Sequence, residues 1–387
     1  MRRFLGLTFC AISFAAMAVG PARAAEGETF KIGALLGMTG ASSYYGTVMS
    51  RGAQIAIDEI NADGGIDGTK LELLIEDHKG GNAQAGVAGM NRLINIHDIK
   101  AVLTSFSPPT LAVAPIATEK KIFMINGGGF SAKMIGASPY LFHNRSLATD
   151  FTRGILLRAK EHGFEKMAMI SVKTDAGENV REIAHQFWPE LGGAIVADES
   201  VAYGAANMDT QIAKLRTSGA DFIFAAIFRP DAGTFLKRSK EFGITVPRLG
   251  IEYTPDDQKL AGEAAAGFEF TTDYFHPTDD NPWAQAFYGK YKELFNEEPD
   301  YYAANYYEGV YVIAELVRRA FEAGIDNPDG AQLTELLWKE PTFKSVYGGD
   351  MVFQENGVAQ KRVGLFEVQA DSEKKFLKFI ETTVPGK

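Results

Sequence analysis

The stretch Lys31-Ile32-Gly33-Ala34-Leu35-Leu36-Gly37-Met38 is followed by Arg51-Gly52-Ala53-Gln54-Ile55-Ala56-Ile57-Asp58-Glu59-Ile60-Asn61 and then by Leu71-Glu72-Leu73-Leu74-Ile75-Glu76. The first run is apolar almost throughout, as a strand buried on both faces must be. The second puts Ala53, Ile57 and Ile60 on one stripe, which predicts a helix over 48–60. Asn61-Ala62-Asp63-Gly64-Gly65 stops it, because Asn and Gly leave the helical region cheaply. The third run, 71–76, returns to strand. Strand, helix and strand within 46 residues make a βαβ unit, which needs a parallel sheet.

The same rhythm continues outward. Strands are predicted at 101–104, 122–125, 167–172, 194–197, 221–227 and 248–251. Helices are predicted at 83–94, 110–119, 151–161, 178–188, 208–217 and 232–242. Two successive sets of this kind predict two similar-sized doubly wound α/β lobes. The last third differs: helices at 282–295 and 303–323 precede short runs at 350–353 and 362–368. Gly348-Gly349-Asp350 and Glu355-Asn356-Gly357 give that end a strand–turn–strand look.

Composition removes several classes of function. The 39 Lys+Arg against 49 Asp+Glu, with no basic block, argue against nucleic acid, whose affinity comes from neutralising phosphates. The single cysteine, Cys10, excludes a disulfide framework and any multi-cysteine metal site. Arg2 and Arg3 precede an apolar run at 4–19, then helix-breaking Gly20-Pro21 and the small-residue site Ala22-Arg23-Ala24. That is the layout of a cleaved signal peptide over 1–24, and the run is shorter than a bilayer span. Cleavage removes Cys10 and three arginines but no acid, which takes the net charge from -10 to -13. The mature chain is thus expected to be exported and cysteine-free.

Catalytic signatures are missing. The chain has no G-x-S-x-G, H-E-x-x-H, Walker A or G-x-G-x-x-G. Gly127-Gly128-Gly129 follows a predicted strand but no Gly-Lys-Ser/Thr comes after it, so a nucleotide loop is not expected. Such a run still lets backbone N–H groups approach an anion, or is a plain turn. The six histidines have no metal spacing and read as surface or hydrogen-bonded residues. Tyr301-Tyr302 and Tyr306-Tyr307 are read equally as core or as cleft aromatics. No catalytic residue, metal or cofactor is expected.

One block is more specific. Met38-Thr39-Gly40-Ala41-Ser42-Ser43-Tyr44-Tyr45-Gly46, the helix at Arg51–Asn61, Gly64-Gly65-Ile66-Asp67-Gly68 and Leu73-Leu74-Ile75-Glu76-Asp77 together resemble the opening of the Leu/Ile/Val-binding protein family. These are type I periplasmic solute-binding proteins of ABC importers. The resemblance continues through Ala114-Pro115-Ile116-Ala117, Asp221-Phe222-Ile223-Phe224, Gly262-Glu263-Ala264-Ala265-Ala266-Gly267 and the run from Tyr302 to Val310. It implies two lobes joined by three crossover strands, with the ligand in the cleft between them. Lobe one is expected at 29–146 plus 277–349, and lobe two at 147–276 plus 350–387. It also implies a small-molecule ligand, ABC permease subunits as partners, and no chemical step. The weighed alternatives are a soluble partner of a membrane sensor, taking an amide or aromatic acid, and an exported enzyme on the same fold.

The resemblance also implies a site. Tyr45 matches the cleft aromatic of lobe one. Ser107 matches the serine whose hydroxyl binds the ligand carboxylate, with a helix beginning near Thr110 adding its positive end. Gly129 matches the position whose backbone serves the headgroup. Glu252 matches the acid that holds an amino-acid ammonium. Phe228 stands where a tyrosine is usual, and Tyr302 near a further wall aromatic. Two departures stand out: Phe130 replaces a threonine, and Ala176 replaces a tyrosine. A flat apolar face and a ring-sized gap favour a bulkier, aromatic carboxylate. Glu252 pulls toward an amino acid, because a buried carboxylate needs a cation or donors. Arg229, beside Phe228, is the candidate internal cation, or a partner for a second ligand carboxylate; both readings stay open.

Overall fold

The computed structural model describes residues 29–278 and 280–380. The expected signal peptide at 1–24 lies outside them, as do residues 381–387 of the expected second lobe. The opening stretch folds as predicted, with β1 (Thr29–Leu36), α1 (Ser43–Ala62) and β2 (Lys70–Asp77). Then come α2 (Ala83–Asn95), β3 (Ala101–Thr104), α3 (Ser107–Lys120), β4 (Phe123–Asn126) and β5 (Leu141–His143). The five strands form one parallel sheet in the order β2-β1-β3-β4-β5.

The chain then builds α4 (Ala148–Glu161), β6 (Lys166–Val172), α5 (Asp175–Glu190), β7 (Ala194–Val201) and α6 (Asp209–Arg216). It continues with β8 (Phe222–Ala226), α7 (Asp231–Glu241), β9 (Arg248–Ile251), α8 (Pro255–Ala261) and β10 (Glu269–Asp273). The remainder is α9 (Pro282–Phe295), α10 (Tyr301–Glu322), α11 (Gly330–Lys339), β11 (Thr342–Lys344), β12 (Asp350–Phe353), β13 (Ala359–Gln360), β14 (Val363–Val368) and β15 (Lys374–Phe379). The second sheet runs β15-β14-β10-β9-β8-β6-β7, parallel from β10 to β7, with β14 and β15 antiparallel at the other edge. Each sheet carries its own buried cluster: Phe123, Phe142 and Tyr306 belong to the first, Trp188, Phe222 and Phe270 to the second. These are two doubly wound lobes, between which the chain passes after β5, after β10 and after β13.

One expected boundary is corrected. The division at 349/350 cuts through the hairpin of β11 and β12, which pair antiparallel and then pair with β13. Met351, Phe353 and Ala359 bury against the first lobe's core, so the third crossing falls after β13. The runs at 350–353 and 362–368 look alike in sequence because both are short and apolar, yet they serve different sheets.

Helix α10 is buried along its length and packs on α1. The contact is tightest at Gly52, where a Cβ would stand 2.0 Å from the carbonyl oxygen of Ala303. Backbone cannot yield as a side chain does, so Gly52→Val must push the two helices apart. We expect about 3 kcal/mol of destabilisation, read as a lower urea midpoint at unchanged slope; an unchanged midpoint would show that the helices separate freely.

Candidate ligand-binding site

In an open parallel sheet, ligands bind beyond the carboxyl ends of the strands, where the strand order reverses. Both sheets have such a point, between β1 and β3 and between β6 and β8. Both points face one cavity of about 280 Å³. The loop after β2 contributes Gly80 and Gly81, that after β3 Phe106 and Ser107, and that after β4 Gly128 and Phe130. From the other lobe come Lys173 and Ala176 after β6, Tyr203 after β7, Phe228 after β8 and Glu252 after β9. Tyr45 and Met49 of α1 and Tyr302 of α10 complete it. Six aromatic side chains, Tyr45, Phe106, Phe130, Tyr203, Phe228 and Tyr302, line it, and both lobes contribute to the wall.

Seven of the nine expected site residues line this cavity: Tyr45, Ser107, Phe130, Ala176, Phe228, Glu252 and Tyr302. Tyr45 makes edge-on contacts with Tyr44, Phe106 and Tyr302. Phe130 stacks on Phe151 at 5.1 Å and meets Phe228 edge-on at 5.4 Å. Ala176 sits in the first turn of α5, which Thr174 caps by accepting from the Gly177 N–H.

The helix beside Ser107 begins at Ser107 itself, not near Thr110. Pro108 and Pro109 occupy its first turn and have no N–H, so that end offers an anion fewer donors than expected. Phe106, just before it, has φ of 60°, unusual for a bulky residue. Ser107 Oγ accepts from the N–H groups of Phe130 (3.2 Å) and Ser131 (3.0 Å). Those bonds fill its two lone pairs and leave its proton free to donate.

Two expected roles are corrected. Gly129 does not line the cavity; its N–H donates to Asn126 Oδ1 at 2.5 Å, and its carbonyl accepts from Asn126 Nδ2 at 2.9 Å. The neighbouring Gly128 faces the site instead, and a Cβ there would stand 2.5 Å from Met49 Cε. Arg229 also lies outside. Its Nε donates to Asp256 Oδ2 at 2.6 Å and its Nη1 to the Ala41 carbonyl at 2.8 Å, which ties the two lobes at the rim. It is not Glu252's cation, and it does not line the cavity.

The cation is Arg145, which the sequence reading missed. Its Nη2 lies 2.5 Å from Glu252 Oε1 and 3.0 Å from Asp273 Oδ2. Tyr302 Oη donates to the other oxygen, Glu252 Oε2, at 2.7 Å. Both Arg145 and Glu252 are buried, at 0% and 4% exposure. Burial pushes the Glu252 carboxyl up, while Arg145 and Tyr302 pull it back toward ionisation. Burial opposes the charge on Arg145 too, but Asp273 and Glu252 outweigh it and hold the guanidinium protonated. Glu252 has φ of 54°, a strained value for an acid, maintained by this network. One sequence signal was available: Arg145 is the sole Lys, Arg, Asp or Glu between Lys133 and Asp150. Tyr203 was missed as well; its buried Oη has no partner among the described residues. Of the paired tyrosines all four are buried, but only Tyr302 reaches the cavity.

A profile of the periplasmic binding protein family matches residues 29–374, nearly all of the described chain. The chain belongs to the periplasmic binding protein family. As a periplasmic binding protein it has relatives with the expected name. The leucine-, isoleucine-, valine-, threonine- and alanine-binding protein of Pseudomonas aeruginosa is 26% identical over 352 residues, 89% of this chain and 91% of that one. The Leu/Ile/Val-binding protein homolog 7 of Brucella abortus is 26% identical over 336 residues, 80% of this chain and 81% of its own. Among solved structures, the branched-chain amino acid transporter substrate-binding protein of Streptococcus pneumoniae with isoleucine superposes at a TM-score of 0.81. It is 23% identical and spans 90% of this chain and 99% of its own. A Rhodopseudomonas palustris solute-binding protein with 3,4-dihydroxybenzoic acid gives a TM-score of 0.81 at 20% identity, over 92% of this chain and 99% of that one. At these identities the superpositions establish the two-lobed fold.

Proposed function

We propose that this binding protein is the solute-capturing component of an ABC importer. It closes on a small hydrophobic carboxylate, an amino acid or an aromatic acid, and presents it to membrane permease subunits. The supporting observation is the cavity itself. Its aromatic wall is divided between two lobes, so a ligand makes its full set of contacts only when they are shut. We take the first lobe as β1–β5 with α9–β13, and the second as α4–β10 with β14 and β15. The leader at 1–24 would carry the chain to the periplasm. Among the described residues no helix is long and apolar enough to cross a membrane. Relatives named for aliphatic amino acids and a fold neighbour holding an aromatic acid bracket the ligand class. The reading requires no chemical step.

A thermal-shift screen with leucine, phenylalanine, benzoate and benzamide tests it, because a ligand that binds only the native state raises Tm. At least one carboxylate should raise it. A shift by benzamide and by no carboxylate would sink the proposal. Ser107→Ala removes the free hydroxyl proton and orphans the N–H groups of Phe130 and Ser131. It should weaken binding of that carboxylate about tenfold, about 1.4 kcal/mol, measured by calorimetry.

A further inference from the structure

From the way Glu252 is held, we infer that the ligand of this site is a carboxylate without an amino group, most simply an arylcarboxylate or arylalkanoate. The inference rests on the solute-binding reading above and narrows its ligand. An amino-acid site must offer donors to a carboxylate and an unclaimed acceptor to an ammonium. The deep, enclosed acceptor in this cavity is Glu252, and both of its oxygens are engaged, by Arg145 at 2.5 Å and Tyr302 at 2.7 Å. An incoming ammonium would have to share that carboxylate with a buried guanidinium a hydrogen bond away, a repulsive arrangement at low dielectric.

The arginine cannot swing aside. Its guanidinium is wedged over the rings of Phe130 and Tyr302, 5.2 Å from each centroid, and is also held by Asp273. Asp273 adds a second negative charge to the network but lies outside the cavity, where Asn305 Nδ2 also approaches it at 3.4 Å. Asp175 lines the mouth but is exposed, beside the equally exposed Lys173. A solvated carboxylate next to a lysine gives an ammonium little.

What the interior leaves unclaimed are hydroxyls that can donate. Ser107 has its lone pairs filled and its proton free, and Tyr203 Oη is buried with no partner among the described residues. Donors without an enclosed anionic acceptor free of its own cation complement a carboxylate head without an amine. The walls fit an aromatic body: Phe130 and Phe228 present ring surface, Ala176 leaves space, and an apolar cavity of about 150 Å³ already holds benzene against about 280 Å³ here.

The test is calorimetric titration of the purified protein with pairs that differ only in the amine: phenylalanine against 3-phenylpropanoate, and leucine against 4-methylpentanoate, with benzoate alongside. We expect 3-phenylpropanoate to bind at least tenfold more tightly than phenylalanine. Preference for either amino acid over its des-amino partner overturns the inference and leaves the importer reading standing. Binding of none of the five removes the carboxylate reading beneath it, and the inference with it. Arg145→Gln gives a second readout, because it removes the cation beside Glu252. The affinity ratio of phenylalanine to 3-phenylpropanoate should then move toward the amino acid by at least tenfold. A folded variant with an unmoved ratio overturns the assignment to Arg145.

Discussion

Arg145→Met will cost about 3–5 kcal/mol of stability, measured by urea unfolding at pH 7. The guanidinium is fully buried and serves two carboxylates, Glu252 and Asp273, which are themselves 4% and 1% exposed. Methionine fills much of the volume, so packing loss is a small part of the effect. The main part is two acids left in a low-dielectric interior without their cation. Adding Glu252→Gln and Asp273→Asn to the variant should therefore restore most of the loss, since neutral partners have no charge to compensate. The pH dependence has a definite sign. Without Arg145 the folded-state Glu252 carboxyl rises further above its unfolded value, so the folded variant binds the proton more readily than the unfolded chain does. The variant should gain on the wild type as pH falls from 7 toward 4.5. A loss that is independent of pH, or untouched by the two neutral substitutions, would mean that shape and not charge holds this junction.

Acid will separately unmask two buried histidines. His78 and His143 are both fully buried, and burial drives each down to about 4. His78 Nδ1 accepts from the Gly81 N–H at 2.9 Å, and its Nε2 lies 2.9 Å from Ser105 Oγ, so the folded state needs a neutral ring there. His143 lies 3.0 Å from Asn126 Nδ2, with the Arg145 charge nearby. With folded values near 4 and unfolded values near 6.5, the unfolded chain binds more protons across that window. Stability from these two groups is complete above about pH 6.5 and declines as pH falls to about 4, by about 3 kcal/mol for each. Asp231 and Asp257, raised to about 6 by burial, oppose this trend. The measurement is thus a difference: urea midpoints of wild type and of the His78→Gln, His143→Gln double variant between pH 7.5 and 4. The wild type should fall relative to the variant as pH drops. Parallel curves would show that neither ring is constrained to be neutral.

Much of this molecule could be read before folding it. The alternation of apolar runs with helical stripes is local, and it survives as β1, α1, β2 and their successors within a few residues. Some of the elements missed have weak local signals, although α11, with a capping box at Asp329 and Gln332, does not. Strand β5 is three residues long, and β15 is lysine-rich on an edge. Seven of nine expected site residues line the cavity because they follow strand ends or lie on α1 and α10 near the switch points. Their identities came from the family resemblance; the order of the elements explains why such positions meet.

What sequence could not carry was the direction in which each polar side chain turns and the partner it finds. Gly129 was expected to serve the ligand, yet Asn126, three residues before it, turns back and consumes both of its backbone groups. Arg229 stands next to a true wall residue, but the direction of its side chain sends it to the rim. The partner of Glu252 lies 107 residues earlier in the chain. By itself, the sequence determined an acidic, doubly wound α/β chain, because periodicity is a short-range property, while the aromatics and the acid that line the cavity came from its family resemblance. Only the tertiary structure decided that the acid is already paired with a buried guanidinium, because burial and charge pairing depend on which distant segments the lobes bring together.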